Sequence, residues 1–381
     1  MDADVPGILT TLRTEANPQL ESLFLAFEDL YDRKLWHQLT KTLEVFYKTP
    51  SSTGVRMRLY KNFITLFKYK INQLKHVEFL LASLVEVKEA SECKGYLLEL
   101  KEELKKQDKI DKEQALLFLD IEIARCKLHL KQEVEARDDL DKIDKSFAQI
   151  DAVDLKLNQS YFSTNSEYYK VKSDYNNFYY QSLLYLSTVQ LDDLQLIDQQ
   201  RLAYDLSISA LLADKIYNFG ELLTHPILQT LKGGEYQWII DLLNSLNSGD
   251  IDAFSKNLHH LEKNTLLKTS ESFLKQKICL MTLVELVFAK SIRVISFKDV
   301  SVATLLSIGE VEHLVMRALS LGLLKGSIDQ ISQTISINWV QPRIINQTQI
   351  ANMKQKLVAW DANVSKLGTF MEQNGKEIWI E

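Results

Sequence analysis

Glycine and proline are scarce in this chain, twelve and five among 381 residues, roughly a third of their usual share. Sandwiches, barrels and propellers turn the chain too often to do without them, so an all-β architecture is excluded. Cysteine is equally sparse. Cys93, Cys126 and Cys279 are odd in number and far apart with no C-x-x-C spacing, which removes a disulfide framework and a thiolate zinc site and points to a reducing compartment. A positive excess is also missing. The net charge is −6, the wrong sign for a general nucleic-acid binder. No apolar run is long enough for a bilayer; the strongest, Ile278 to Ala289, is short and holds Glu285. Met1, Asp2, Ala3 and Asp4 carry acid where a targeting peptide needs base. Cytoplasm and nucleus are the expected compartments, without membrane contact, and the Asn-x-Ser/Thr triplets at Asn158, Asn346 and Asn363 imply no glycosylation there.

What the chain does have is apolar residues, 46%, and charged ones, 25%, in helical order. That balance supports folded cores rather than disorder. Leu20, Leu23, Phe24, Phe27, Leu30 and Tyr31 recur at the i, i+3, i+4, i+7 spacing of one buried helix face, and Leu35, Leu39, Leu43 and Phe46 repeat it up to Thr49-Pro50. Breaks near Gly54, Asn72, Ser91, Asp111 and Val153 leave helices of about 17 to 20 residues, hence pairs of the size found in solenoid repeats, with no strict repeat signature. The expected fold is mostly α: an α-solenoid of degenerate TPR-like helix pairs over 1–175 and a second region over 176–343, helical to 290. A C-terminal helix over 344–381 completes it. The mixed charges from Lys88 to Glu113 read as a solvated helix face. Tyr161, Tyr168, Tyr169, Tyr175, Tyr179, Tyr180 and Tyr185 read as helix packing, because base stacking would call for interleaved cations.

After Lys290 the pattern changes. Val294, Ile295 and Phe297 lean to strand, 299–306 to a short helix, Ser307-Ile308-Gly309 to a turn and 310–320 to a second helix capped by Gly322. A polar loop from Lys325 to Gln330 then leads into Ile331, Ile335, Ile337 and Trp339. Strand, helix, turn, helix and wing is the order of a winged helix. The outward positions of its second helix, Glu310, Glu312, His313, Met316 and Arg317, cannot neutralise phosphates, so protein contact is favoured over DNA.

In the tail, Ile350, Met353, Leu357, Trp360, Val364, Leu367 and Met371 alternate steps of three and four, a heptad seam. Burying seven such side chains contributes on the order of 10–20 kcal/mol before ordering costs. Water does not leave such a seam bare: it folds back on its own winged helix or joins the helices of a partner.

Catalytic signatures are missing. There is no Walker A, G-x-G-x-x-G, G-x-S-x-G or H-E-x-x-H sequence. His259 and His260, as helix neighbours, point apart; His225 before Pro226 reads as a capping residue; Cys279 reads as a buried thiol. No enzyme and no cofactor is expected.

The order of parts resembles the PCI family of scaffold subunits, shared by the proteasome lid, the COP9 signalosome and the translation-initiation scaffold. Local sequence is similar to its proteasome-lid members in particular: Leu35-Trp36-His37-Gln38-Leu39-Thr40, the run Phe219-Gly220-Glu221-Leu222-Leu223-Thr224-His225-Pro226, Trp238-Ile239-Ile240-Asp241 with Asn247-Ser248-Gly249, Gly326-Ser327-Ile328-Asp329, and Trp339-Val340-Gln341-Pro342-Arg343. The resemblance implies a PCI domain over 176–343 with its winged helix at 291–343. It also implies a non-catalytic subunit of a hetero-oligomer, partnered by other PCI lid subunits, the deubiquitinating activity belonging to a different subunit. Ile331 to Val340, with Ile331, Ile335, Ile337 and Trp339, would join a neighbouring winged helix, and the seam from Ile350 to Met371 would enter a shared bundle. A scaffold of one of the related complexes, or a nucleic-acid binding winged helix, are the alternatives.

Overall fold

The computed structural model describes residues 5–87, 89–106, 112–150, 153–290, 294–342 and 347–374. The acidic start at Met1 to Asp4, the ends of the charged run at Lys88 and 107–111, Arg343, Asn346 and the tail beyond 374 lie outside the described residues. The chain divides into two compact units, Met1–Asp193 and Leu194–Glu381.

The first unit is helical throughout: α1 (Val5–Glu15), α2 (Glu21–Asp32), α3 (Trp36–Lys48), α4 (Arg56–Leu59), α5 (Thr65–Phe67), α6 (Gln73–Leu84), α7 (Ala90–Lys105), α8 (Lys112–His129), α9 (Glu133–Phe147), α10 (Leu155–Val171) and α11 (Tyr175–Thr188). Neighbouring helices pack as hairpins, and α8 also packs on α6 and α10, the stacking of a solenoid. The expected apolar faces are the buried ones. Phe24, Phe27 and Phe46 meet pairwise with ring centroids 5.8 Å apart, each pair edge to face, the geometry that aromatic quadrupoles favour. The expected boundary at 175 falls between α10 and α11, which pack on each other; the division lies after Asp193 instead. Of the tyrosines, Tyr161, Tyr168 and Tyr179 are core, whereas Tyr180 is exposed.

A repeat does exist in the backbone. The α2–α3, α8–α9 and α10–α11 turns each place one residue in the left-handed region: Lys34 (φ 57°), Lys131 (61°) and Ser173 (57°). Each carries the same bond pair. Lys34 N–H donates to Tyr31 O and Leu35 N–H to Leu30 O; Lys131 and Gln132 bond Leu128 and Lys127; Ser173 and Asp174 bond Lys170 and Tyr169. This is the Schellman arrangement without its usual glycine.

The second unit contains α12 (Leu196–Leu212), α13 (Gly220–Thr224), α14 (Gln237–Ser248), α15 (Ile251–Asn257), α16 (Thr265–Thr269) and α17 (Glu271–Ala289), then β1 (Val294–Ser296), α18 (Phe297–Thr304), α19 (Ile308–Ser320), β2 (Leu324–Asp329), β3 (Thr334–Val340) and α20 (Gln347–Asn374). Gly249 ends α14 at φ 68°, and Thr282 Oγ1 of α17 donates to its carbonyl at 2.8 Å. A Cβ there would lie 2.9 Å from Thr282 Cα, so only glycine permits both the turn and the approach of the helices.

Lys277 of α17 is 1% exposed. Its Nζ donates to the Ala210, Leu211 and Ala213 carbonyls at 2.9, 3.1 and 2.8 Å, the acceptors that the end of α12 leaves open. The Tyr217, Phe219 and Phe273 rings stand 5.4, 5.1 and 5.6 Å away. Burial pushes the ammonium down to about 7, against the pull of Asp214. Cys279, on the same helix, is half-buried rather than buried, and burial raises its thiol pKa.

His225 caps the 3-10 turn Pro226–Leu231, its Nδ1 accepting the Ile227 N–H at 3.2 Å. Burial lowers its pKa below 6.5, and a protonated ring cannot accept that bond. As pH falls the unfolded chain takes up this proton first, so the contribution is present at neutral pH and lost as pH drops through the folded value. Urea unfolding midpoints are expected to fall between about pH 7.5 and pH 5.5. That part of the slope should flatten in His225→Asn, whose side chain still caps. An unchanged slope would remove His225 from the balance.

Candidate assembly surfaces

The winged-helix module is built as expected in order but not in detail. Ser307 and Glu310 form a reciprocal capping box that starts α19, with Glu310 held below the usual carboxylate range by its bonds to Ser307. The helix ends where Gly322 N–H bonds Leu319 O and Leu323 N–H bonds Ala318 O. The polar stretch expected as a loop is β2 itself. Lys325, Ser327 and Asp329 face solvent along it, and the true turn is 330–333.

The strand order is β1-β3-β2, both pairings antiparallel. The central strand is therefore β3: β2 pairs along it from Thr334 to Val340, and β1 pairs with Thr334, Ile335 and Ser336. Ile335 and Ile337 are 1% and 4% exposed, turned into the module's own core. Among the described residues the outer strands of this sheet are β1 and β2, so a neighbour that joins the region from Ile331 to Val340 would add at one of them. Trp339 is partly exposed, with Lys325 Nζ 4.8 Å above its ring. Ile331 lies in the turn rather than in a strand and is 99% exposed. It is held out by Asp329, which accepts the Ile331 and Ser332 N–H groups at 3.0 and 3.2 Å and the Ser332 hydroxyl at 2.5 Å. Those bonds also lower the Asp329 pKa.

Gly326 sits at the bulge of β2. A Cβ there would come 2.2 Å from Ser336 O, so the hairpin must open to admit a methyl group. Gly326→Ala is expected to cost about 2–3 kcal/mol, a value typical of forced backbone movement. The check is a thermal melt of the full chain; a melting temperature within 1–2 °C of wild type, about the scatter of repeated melts, would contradict the close approach.

On α19, Glu310, His313, Met316 and Arg317 are exposed as expected, while Glu312 is half-buried and accepts from Gln330. Arg317 donates to Gln276. This face offers no row of cations to a phosphate backbone.

The seam of α20 is open. Ile350, Met353, Leu357, Trp360, Val364, Leu367 and Met371 are between 45% and 66% exposed, and every other described side chain of α20 is exposed too. Among the described residues, none folds back over the seam. Val358 and Phe370, outside the heptad stripe, add two exposed apolar side chains that a strict three-four spacing passes over. The His259 and His260 rings lie 3.9 Å apart instead of diverging, and among the described residues no group of three His, Cys, Asp or Glu is placed to hold a metal. No described helix is long and apolar enough to cross a membrane.

Stacked helical hairpins, a three-stranded winged helix and a projecting apolar helix define a PCI-type subunit. The family described as PSD13 N-terminal repeats matches residues 23–243, the PCI domain matches 255–339 and the Rpn9 C-terminal helix matches 343–375. The chain is 50% identical over 388 residues to the 26S proteasome regulatory subunit RPN9 of Saccharomyces cerevisiae, covering 99% of each. It is 38% identical to the probable 26S proteasome regulatory subunit rpn9 of Schizosaccharomyces pombe, covering 100% of this chain and 99% of that one. Against the 26S proteasome non-ATPase regulatory subunit 13 homolog B of Arabidopsis thaliana the identity is 34%, over 91% and 92% of the two chains. The chain belongs to the Rpn9 family of proteasome regulatory subunits.

Proposed function

We propose that this chain is a non-catalytic scaffold subunit of the proteasome regulatory-particle lid, acting in ubiquitin-dependent degradation in cytoplasm and nucleus. The observation that carries this reading is the open seam of α20: seven apolar side chains in heptad register, each exposed among the described residues. Their gain is realised only when helices of sister subunits exclude water. A second contact is strand addition at a free sheet edge, β1 or β2, with Ile331 and Trp339 presented beside the wing. Ile335 and Ile337 support that contact from the core rather than touching the partner. The domains follow as a helical-repeat unit through Asp193, a PCI region ending in the winged helix, and a bundle helix from about residue 347. The names and full-length coverage of the relatives support the proteasome over other PCI complexes.

Native affinity purification of the tagged chain, followed by mass spectrometry, tests the reading. Recovery in stoichiometric amounts with the other PCI subunits of the lid is expected. Recovery as a lone chain, without other PCI subunits, would overturn it.

A further inference from the structure

The chain as a whole is acidic, net −6, yet from Arg33 to Lys75 it holds ten lysines and arginines and one carboxylate, Glu44. Part of this charge is used internally. Arg33 pairs with Asp29 at 2.9 Å, Arg58 with Glu15, Lys68 with Glu103 at 2.6 Å and Lys75 with Glu44 at 2.9 Å. Lys34, Lys41, Lys48 and Lys70 are exposed and have no carboxylate at ion-pair distance among the described residues.

The fold gathers these cations. His37, Lys41, Val45 and Lys48 are exposed along one stripe of α3, at the four- and three-residue steps that share a helix face. Lys34 precedes that stripe in the α2–α3 turn. Trp36, the first residue of α3, stacks on Phe67 at 5.7 Å, and Lys70 Nζ lies 4.6 Å over the indole. The indole thus ties the 67–70 segment to the start of α3 and fixes the Lys70 ammonium there. Lys34 occupies a left-handed position that costs a lysine about 1–2 kcal/mol relative to a right-handed one, and its side chain is exposed beside the stripe.

We propose that this basic face of the first unit docks an acidic segment of a partner protein. Charge complementarity selects the occupant. A long polyanion would feel the negative excess of the rest of the surface, whereas a short acidic segment senses little beyond a Debye length of about 8–10 Å. The Trp36 indole already contacts Phe67, Lys70 and, edge to face, Tyr31, which leaves less of it for base stacking. Leu35 and Val45, 39% and 54% exposed, sit among the lysines and suit an acidic peptide that includes apolar side chains. Neither the winged helix nor α20 takes part, so this proposal stands or falls apart from the lid role.

The test is fluorescence anisotropy of the full chain with a labelled Asp/Glu peptide of about twelve residues carrying two leucines, long enough to span the stripe at an extended rise. A Ser/Leu peptide of the same length and an oligouridine of equal charge serve as competitors. The acidic peptide is expected to bind best, more weakly as salt rises. The triple variant Lys34→Glu, Lys41→Glu, Lys70→Glu should lose roughly tenfold or more in affinity. A matched triple elsewhere, Lys145→Glu, Lys232→Glu, Lys256→Glu, should change it less than about twofold, with circular dichroism confirming that both variants fold. Equal loss in both triples, no preference for the acidic over the neutral peptide, or tighter binding of oligouridine would each overturn the proposal.

Discussion

Replacing Leu357 and Trp360 together by Asp is expected to leave the isolated chain folded and to release it from its assembly. Both side chains are largely exposed in the chain alone, 64% and 66%, so the substitutions remove little internal contact. Their cost to the chain is limited to the lower helix propensity of Asp, about half a kcal/mol per site. Within a bundle the same change forfeits about 2 kcal/mol of burial per side chain and forces two carboxylates into an apolar seam at several kcal/mol more. A total of about 5 kcal/mol or more is a loss of at least ~10³ in association. Far-UV circular dichroism and the melting temperature should match wild type, while co-sedimentation with the other lid subunits disappears. A double variant that still travels with the complex would show that the seam is not what holds it.

The contrast between α20 and the winged helix shows which surfaces a sequence makes legible. Heptad spacing reports that a stripe will be dry, and in α20 no described residue covers it, so the drying falls to a partner in the proposed reading. Spacing alone says less at Ile335 and Ile337. Their alternation correctly announces a half-buried strand, but the burial is against the module's own core. Which strand keeps a free edge is a property of sheet order, β1-β3-β2, that no single strand encodes. β2 escaped notice because Lys325, Gly326, Ser327 and Asp329 are loop-like residues on an edge strand, where only Leu324 is fully buried. The solenoid's periodicity was hidden for a related reason. Its turns use the left-handed region at Lys34, Lys131 and Ser173, and without glycine at those places the repeated geometry leaves no repeated letter.

Lys277 was invisible for the opposite reason: a lysine in an amphipathic helix reads as a solvent-facing residue, and here it is 1% exposed. Lys277→Met is expected to destabilise the chain by about 3–5 kcal/mol, the range for stranding buried polar partners. Methionine fills the space and supplies apolar contact, so the loss isolates the polar role. The Ala210, Leu211 and Ala213 carbonyls, bonded by one ammonium, would be left without a donor where water has little access, and the three flanking rings would lose the cation they face. Lys277→Arg should fall in between, because a planar guanidinium cannot converge on three carbonyls as a tetrahedral ammonium does. Urea unfolding followed by tryptophan fluorescence gives the measurement. A methionine variant with a midpoint near wild type would mean that the end of α12 is satisfied without Lys277, and the buried lysine would then be a tolerated passenger of the fold rather than the tie between α12 and α17.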